Sequence, residues 1–470
     1  MLRRFRRHQE PAKVVVIGLD CAEPSLIFDR WRDDLPNLRA LMDRGIWGPL
    51  ESVNPPITVP AWSCMMSGRD PGELGIYGFR NRVDYSYDRM AIATSAFVRE
   101  PRVWDVLSRA GKQVAVVGVP GTDPPTPVNG VLIGSFLTPS TDETFTYPAN
   151  FRKEVLRWSD GGYMLDVRDF RTSDRAWLLD QIYVMTDKRF TVAEHIVTEL
   201  PWDFFMMVEM GTDRIHHAFW RYHAQDHRLY EPGNPFEDAI HDYYRYLDTR
   251  IGQLLQLVPD DTAVFVVSDH GAKTMQGGIC VNDWLRQQGY LTLSEEPAGV
   301  TPFADAKVDW GTTRAWGEGG YYARICLNVK DRESQGCVAA DQYEELRQEL
   351  KVGLEGITDE DGRPLGTKVY LPQDIYRSVH GIAPDLIVHF GDLAWRSIGS
   401  IGHPLIQTRE NDTGLDDANH AQFGTCIYAN PNLQAHGCRD GLHLFDIGKT
   451  ILRLFDVSAP EGMRGNVIGD

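Results

Sequence analysis

Val266-Val-Ser-Asp269-His270-Gly271 carries the strongest chemical signal in the chain. A continuous apolar run, read as a buried strand, ends in a carboxylate and an imidazole, side chains that are costly to bury without a partner. Adjacent strand residues point to opposite faces, so Asp269 and His270 serve one site only where the chain leaves the strand, and Gly271 permits that turn. A second pair, Asp213 and His217, is spaced i, i+4 in Gly211-Thr-Asp-Arg-Ile-His-His217. On a helix both lie on one face, a spacing that suits two ligands of one metal ion. Taken alone, the pair reads more readily as a helix-start carboxylate with a surface hydrogen bond.

The segment Pro55-Pro-Ile-Thr58-Val-Pro60-Ala-Trp62-Ser63 surrounds one threonine with prolines where a helix can begin. Such a threonine is ordinarily an N-cap. Held rigidly beside a dicationic site, it is also what a metal-activated nucleophile requires, because a free hydroxyl is too weak at neutral pH. Last comes Asn411-Asp-Thr-Gly-Leu-Asp-Asp-Ala-Asn-His420-Ala, a polar loop whose single histidine is uninformative by itself.

The elements that must position these residues alternate along the chain. Apolar runs at 13–18, 113–119, 131–136, 203–208, 262–268 and 385–390 read as sheet strands, and 35–44, 102–110, 175–199, 236–257, 342–355 and 442–454 as helices. The βαβα rhythm predicts an α/β fold, a doubly wound and mostly parallel sheet with helices on both faces. In such sheets ligands bind beyond the carboxyl ends of the strands, where Asp20, the 209–213 segment and Asp269-His270 all fall. Residues 286–368 break the rhythm and are read as a small cap inserted into a discontinuous core of 13–285 and 369–470. Residues 1–12 form a basic tail.

The chain has 470 residues, 42% hydrophobic and 24% charged, an ordinary globular composition that excludes intrinsic disorder. Its 48 basic residues against 66 acidic ones leave a net charge of −18, so general nucleic-acid binding is excluded and an anionic substrate needs a local cationic site. Gln9, Glu10, Pro11 and Lys13 interrupt any secretory leader, and no apolar run has the length of a membrane span. Seven dispersed cysteines without a C-x-x-C pattern fit a reducing cytoplasm.

In this order, the strand ending in Asp20, the Thr58 segment leading to Gly75-Ile76, Asp213-xxx-His217, Asp269-His270-Gly271 and His420 resemble the alkaline phosphatase superfamily. Within it they resemble the type I phosphodiesterase and nucleotide pyrophosphatase family, over residues 13 to 456. The resemblance implies an alkaline-phosphatase-like fold and two divalent ions, zinc by analogy, with manganese or iron as alternatives. Asp20, Thr58, Asp269 and His270 would hold the first, and Asp213, His217 and His420 the second. It further implies in-line attack by Thr58, a phosphothreonine intermediate, and a small-molecule phosphodiester or pyrophosphate as substrate.

The match has departures. Phe79 stands at the spacing where the family commonly has an asparagine that holds a phosphoryl oxygen, and Asn81, two residues on, is assigned that role instead. Leu74 replaces a histidine that often precedes Gly-Ile. Arg314, in the 310–328 segment, is assigned to the substrate, with Arg69, Arg80 and Lys273 as further phosphate-binding candidates. Trp62, Trp316, Tyr321 and Tyr322 are candidates for stacking on a base or sugar.

Two other readings stay open: a phosphomonoesterase or phosphoryl transferase of the same superfamily, and a metal-dependent protein that binds phosphorylated ligands without turnover. The second is disfavoured because all seven ligand positions hold competent residues. Cys64-Met-Met-Ser-Gly-Arg69 lacks the proline of a sulfatase maturation signal.

Overall fold

The computed structural model describes residues 13–469, so the basic tail lies outside the described residues. At the centre of a ten-stranded sheet runs Val14–Leu19, parallel to Phe204–Glu209 on one side and Ala263–Val267 on the other. Val114–Val117 and Gly130–Ile133 continue the parallel set beyond Phe204–Glu209. The three central strands are buried along their whole length, which is why their sequences are nearly continuous apolar runs rather than alternating. Two helix groups cover this sheet: Thr58–Ser67 packs with Leu444–Leu454, and Arg175–Glu199 packs with Gly211–His223 and Ala239–Leu255.

Beyond Ala263–Val267 the direction reverses, because Phe423–Ala429 pairs antiparallel with it and with Gly45–Glu51. Neither of these strands is evident from the sequence. Gly45, Gly48 and Pro49 all depress strand propensity in Gly45–Glu51, and only its place in the sheet makes it a strand.

One glycine in the central strand bears directly on the site. A Cβ on Gly18 would stand 2.6 Å from Trp62 Cη2 and 2.7 Å from Val208 Cγ2, so only the bare backbone lets the indole lie across this strand. Trp62 thereby reaches Asp20, donating Nε1–H to Oδ2 at 2.7 Å.

A second hydrophobic core gathers residues from Ile279 to Ile401. Its four-stranded antiparallel sheet runs Ala315–Glu318, Ala323–Leu327, Leu386–His389, Lys368–Tyr370, and a smaller sheet joins Gly277–Cys280, Trp395–Ile398 and Gln407–Thr408. This core draws on residues on both sides of the expected 286–368 insertion, and the 385–390 run pairs in its sheet rather than in the main one. Burial on both faces makes a strand apolar whichever sheet it joins, so composition does not separate the two.

Candidate active site

The predicted ligands come from strand ends, helix starts and one short ribbon. Asp20 follows Val14–Leu19, and Asp269 and His270 follow Ala263–Val267. Gly211–His223 begins just after Phe204–Glu209, placing Asp213 in its first turn and His217 one turn later. Glu209 holds that helix start in place by accepting Gly211 N–H at 2.7 Å. His420 lies on Ala418–Ala421, which pairs antiparallel with Gly271–Thr274 so that His420 sits opposite Ala272. This two-stranded ribbon brings residues 150 apart in sequence into one cluster, and the His270 and His420 rings stack at 3.8 Å.

Thr58 is the first residue of its helix rather than the cap; Ile57 holds the cap position in extended geometry, with no side-chain cap bond. The Thr58 hydroxyl, 2% exposed, stands 3.4 Å from His270 Nε2. The helix start also directs its unpaired N–H groups and positive dipole end toward this region.

The hydrogen bonds settle which ring nitrogens face inward. His270 Nδ1 lies 3.1 Å from Gly271 O, His420 Nδ1 2.9 Å from Pro56 O, and His217 Nδ1 2.7 Å from Asp416 Oδ1. With Nδ1 carrying the proton toward each acceptor, every Nε2 presents its lone pair to the cluster. His217 Nε2 is 3.3 Å from His420 Nε2 and 3.2 Å from Asp213 Oδ1, and His270 Nε2 is 3.2 Å from Asp269 Oδ2. Facing lone pairs repel unless a cation or proton lies among them.

The carboxylates carry the same message. Among the described residues, Asp20 Oδ1 and Asp269 Oδ2 are buried without a hydrogen-bond partner, although the opposite oxygens are tied to Trp62 Nε1 and Cys21 N. Burial, reinforced by the charges of neighbouring aspartates, pushes both well above the usual carboxylate range. Burial raises Asp213 too, but His217 and Arg214 outweigh it and hold Asp213 well below. For His217, burial opposes protonation, yet Asp416 and Asp213 prevail and lift it to about 10. A proton thus stands in for a cation at this point. Oxygen and nitrogen atoms of Asp20, Asp269 and His270, and of Asp213, His270 and His420, fall within 4.8 Å of one another, which fits N/O coordination of divalent metal ions.

Part of this cluster opens into a cavity of about 490 Å³. Its walls include Thr58, Asp213, His217 and His420, the apolar rings of Phe79, Phe136 and Phe170, and Tyr321.

The two residues assigned to substrate do not reach it. Asn81 is committed to its own turn, accepting Tyr77 N–H at 2.7 Å and donating to Gly78 O at 2.9 Å. Arg314 lies in the smaller unit, over the Tyr290 ring and 4.0 Å from Glu349. The reason is local: a turn of this tightness consumes an asparagine side chain, and Arg314 precedes a strand whose core faces elsewhere. Trp62 and Trp316 are fully buried and offer no stacking face, whereas Tyr321 and Tyr322 do line the cavity. Arg80 lines it as well; Arg69 pairs with Glu73 and Glu100, and Lys273 donates to Asp392 O.

Sequence reasoning missed Asp416, which accepts from His217 Nδ1 and from the Tyr321 hydroxyl at 3.0 Å. Its only signal is proximity to His420 in the chain. Arg214 was missed too: it forks onto Asp166 through Nε and Nη2, both at 2.8 Å, and touches Asp213 through Nη1. A further set, Cys280, Asp283 and His403, stands apart in the smaller unit, where both Asp283 oxygens already accept from Gly402 and His403 N–H.

The model of the type I phosphodiesterase / nucleotide pyrophosphatase family matches residues 14–418. Among solved structures the chain is similar to human ectonucleotide pyrophosphatase / phosphodiesterase 5, at 14% identity and TM-score 0.57, with 97% of each chain covered. It is similar to the murine counterpart at 13% and 0.56, and to an inactive murine form in complex with AMP at 12% and 0.56, again over 97% of each chain. At these identities the likeness is one of fold. No curated protein matches the sequence.

Proposed function

This chain belongs to the type I phosphodiesterase / nucleotide pyrophosphatase family of phosphoric ester hydrolases, and on that premise we propose that it cleaves phosphodiester or pyrophosphate bonds with Thr58 as nucleophile. The observation that carries this reading is the Thr58 hydroxyl, 3.4 Å from His270 Nε2 within the ligand cluster. Asp20, Thr58, Asp269 and His270 would hold one divalent ion, and Asp213, His217 and His420 the other. Zinc is the first candidate, since N/O donors from histidine and aspartate suit it. When bound, the ions would acidify the threonine hydroxyl and offset phosphoryl charge.

The chain's own part is positioning. The helix start fixes the Thr58 hydroxyl at the cavity floor and directs backbone N–H groups toward an incoming anion. Thr58 Oγ, its proton passing to solvent, attacks phosphorus in line; the bond to the leaving oxygen breaks as the new P–O bond forms, giving a phosphothreonine that keeps any ester group the phosphorus still carries. Water then cleaves that ester, releasing phosphate or a phosphomonoester and restoring the hydroxyl. Tyr321, stacked on His420 at 4.2 Å and on His217 at 5.0 Å, walls one side. The substrate is a small phosphoester, in keeping with the cavity's size. A reducing cytoplasmic setting belongs to the same proposal, supported by seven unpaired cysteines.

The test is hydrolysis of bis(p-nitrophenyl) phosphate against p-nitrophenyl phosphate by metal-loaded enzyme, with an EDTA-treated control. Faster, EDTA-sensitive diester turnover is expected. Faster monoester turnover would move the assignment to a phosphatase or phosphoryl transferase.

Asp416 supplies a sharper check on the second metal. It orients His217 through Nδ1, and such outer partners of a metal histidine typically carry about 10- to 100-fold in metal affinity. Asp416→Asn is expected to weaken one of the two metal sites by about that factor, read by metal titration, with the other site unchanged. Equal retention of both ions by the variant would remove His217 from the ligand set.

A further inference from the structure

Two arginines in the cavity are not accounted for by the chemistry above. Arg171 and Arg396 line it together with Thr58 and His217. Arg396, on Trp395–Ile398, is 3% exposed, yet its Nε and Nη1 have no hydrogen-bond partner among the described residues. Its nearest carboxylates stand off, Asp416 Oδ2 at 3.8 Å from Nη1 and Asp412 Oδ1 at 3.7 Å from Nη2. Asp412 is further committed through Oδ2, which accepts Gly399 and Ser400 N–H. Arg171 Nη2 shares Asp416 Oδ2 at 3.4 Å and the Tyr321 hydroxyl at 3.3 Å, while its Nε is also without a partner.

Asp416 is therefore asked to serve two guanidinium groups, a tyrosine and His217. Once His217 is a neutral metal ligand, the two arginines outnumber the one carboxylate they share. Buried guanidinium donors without acceptors call for one, and an arginine fork matches phosphate oxygens in charge and geometry. The location is specific. Tyr321 stacks on His217 and His420, and the Arg396 guanidinium lies 5.6 Å from the same ring. The arginines thus flank the cavity beside the proposed second metal, one aromatic ring away from its histidines. Arg80 and Arg324, in the same cavity, form no ion pair among the described residues and add to its positive charge.

We propose that Arg171 and Arg396 form a second phosphate subsite beside the attacked phosphorus, making them the residues that select substrates with two linked phosphates over simple diesters. The proposal rests on the phosphoryl-transfer reading of the Thr58 site. In it, Thr58 attacks one phosphorus while the arginines hold the oxygens of the neighbouring phosphate.

The test uses the metal-loaded Thr58→Ala protein, which keeps the cavity without turnover, titrated calorimetrically with AMP and with ADP. ADP is expected to bind about tenfold or more tighter than AMP. Adding Arg396→Gln or, separately, the more exposed Arg171→Gln is expected to weaken ADP about tenfold or more and AMP far less, so that the preference collapses. Equal losses for AMP and ADP would overturn the subsite, because they would mean the arginines act only through Asp416 on His217. No loss in either folded variant would overturn it as well, as would a parent protein that binds AMP and ADP alike. Wild-type enzyme that hydrolyses neither ADP nor bis(p-nitrophenyl) phosphate would instead sink the phosphoryl-transfer reading on which the subsite depends.

Discussion

Thr58→Ala is expected to lower kcat for bis(p-nitrophenyl) phosphate by about 10⁴-fold or more, with bound metal and fold nearly unchanged. The side chain is 2% exposed and among the described residues makes one polar contact, to His270 Nε2; its truncation removes one hydroxyl and one methyl from the cavity floor. Of the four residues proposed at the first metal, Asp20, Asp269 and His270 remain, which is why metal content is the control that separates a missing nucleophile from a damaged site. Thr58→Ser keeps the hydroxyl at the same helix position and is expected to retain most of the turnover. Activity in the alanine variant within tenfold of wild type would replace the covalent route with direct attack by water. The same result would not touch family membership, which rests on residues 14–418 as a whole.

Stripping the metals is expected to abolish turnover and, in addition, to reverse the protein's response to alkali. In the metal-free chain the carboxylates of Asp416 and Asp213 outweigh burial and hold His217 up to about 10, against an ordinary value of 6.5. A group raised on folding contributes stability that is complete below its unfolded value and is lost as pH climbs through the folded one. Asp20 and Asp269, raised by burial, have the same sign. His216, His270 and His420 are lowered by burial; their contribution is already complete above the unfolded histidine value and stays flat there. Between pH 7 and pH 10 the EDTA-treated protein should therefore lose stability, by an amount on the order of a few kcal/mol. The metal-loaded protein should not, because ions bind the deprotonated ligands and hold them more tightly as protons become scarce. Thermal unfolding across that range, with and without metal, reads the difference. Parallel curves would place the metals away from His217.

Both expectations draw on residues that were legible before any tertiary structure. Asp269 and His270 stand out because a buried strand seldom ends in two such groups, and Asp213 with His217 because helical spacing puts them on one face. Thr58 is marked by its prolines. None of these signals states that the residues meet. That follows from the parallel order of Phe204–Glu209, Val14–Leu19 and Ala263–Val267, which aligns three carboxyl ends at one edge, and from the ribbon that carries His420 to His270. The order of the motifs along the chain stood in for this geometry, since the family resemblance encodes it.

The errors have a common cause. Asn81 and Arg314 were assigned from spacing and residue type, and each is the right type in the wrong place: one amide is spent on its own turn, and the other side chain belongs to a different core. Asp416, Arg171 and Arg396 went unnoticed because charged residues are common and sequence distance says nothing about their neighbours. Arg396 lies on a strand of the smaller unit, Arg171 in the segment before a helix of the main one, and Asp416 in the loop before His420.

By itself, then, the amino-acid sequence determined the α/β class, the central strands and the residue types proposed as ligands and nucleophile, because hydrophobic period and residue chemistry are local properties. Tertiary structure alone decided which cations face the cavity, which histidine nitrogens turn inward, and how far the smaller unit extends. Those depend on contacts between residues far apart in the chain, where packing and hydrogen bonding choose among many side chains of equivalent chemistry.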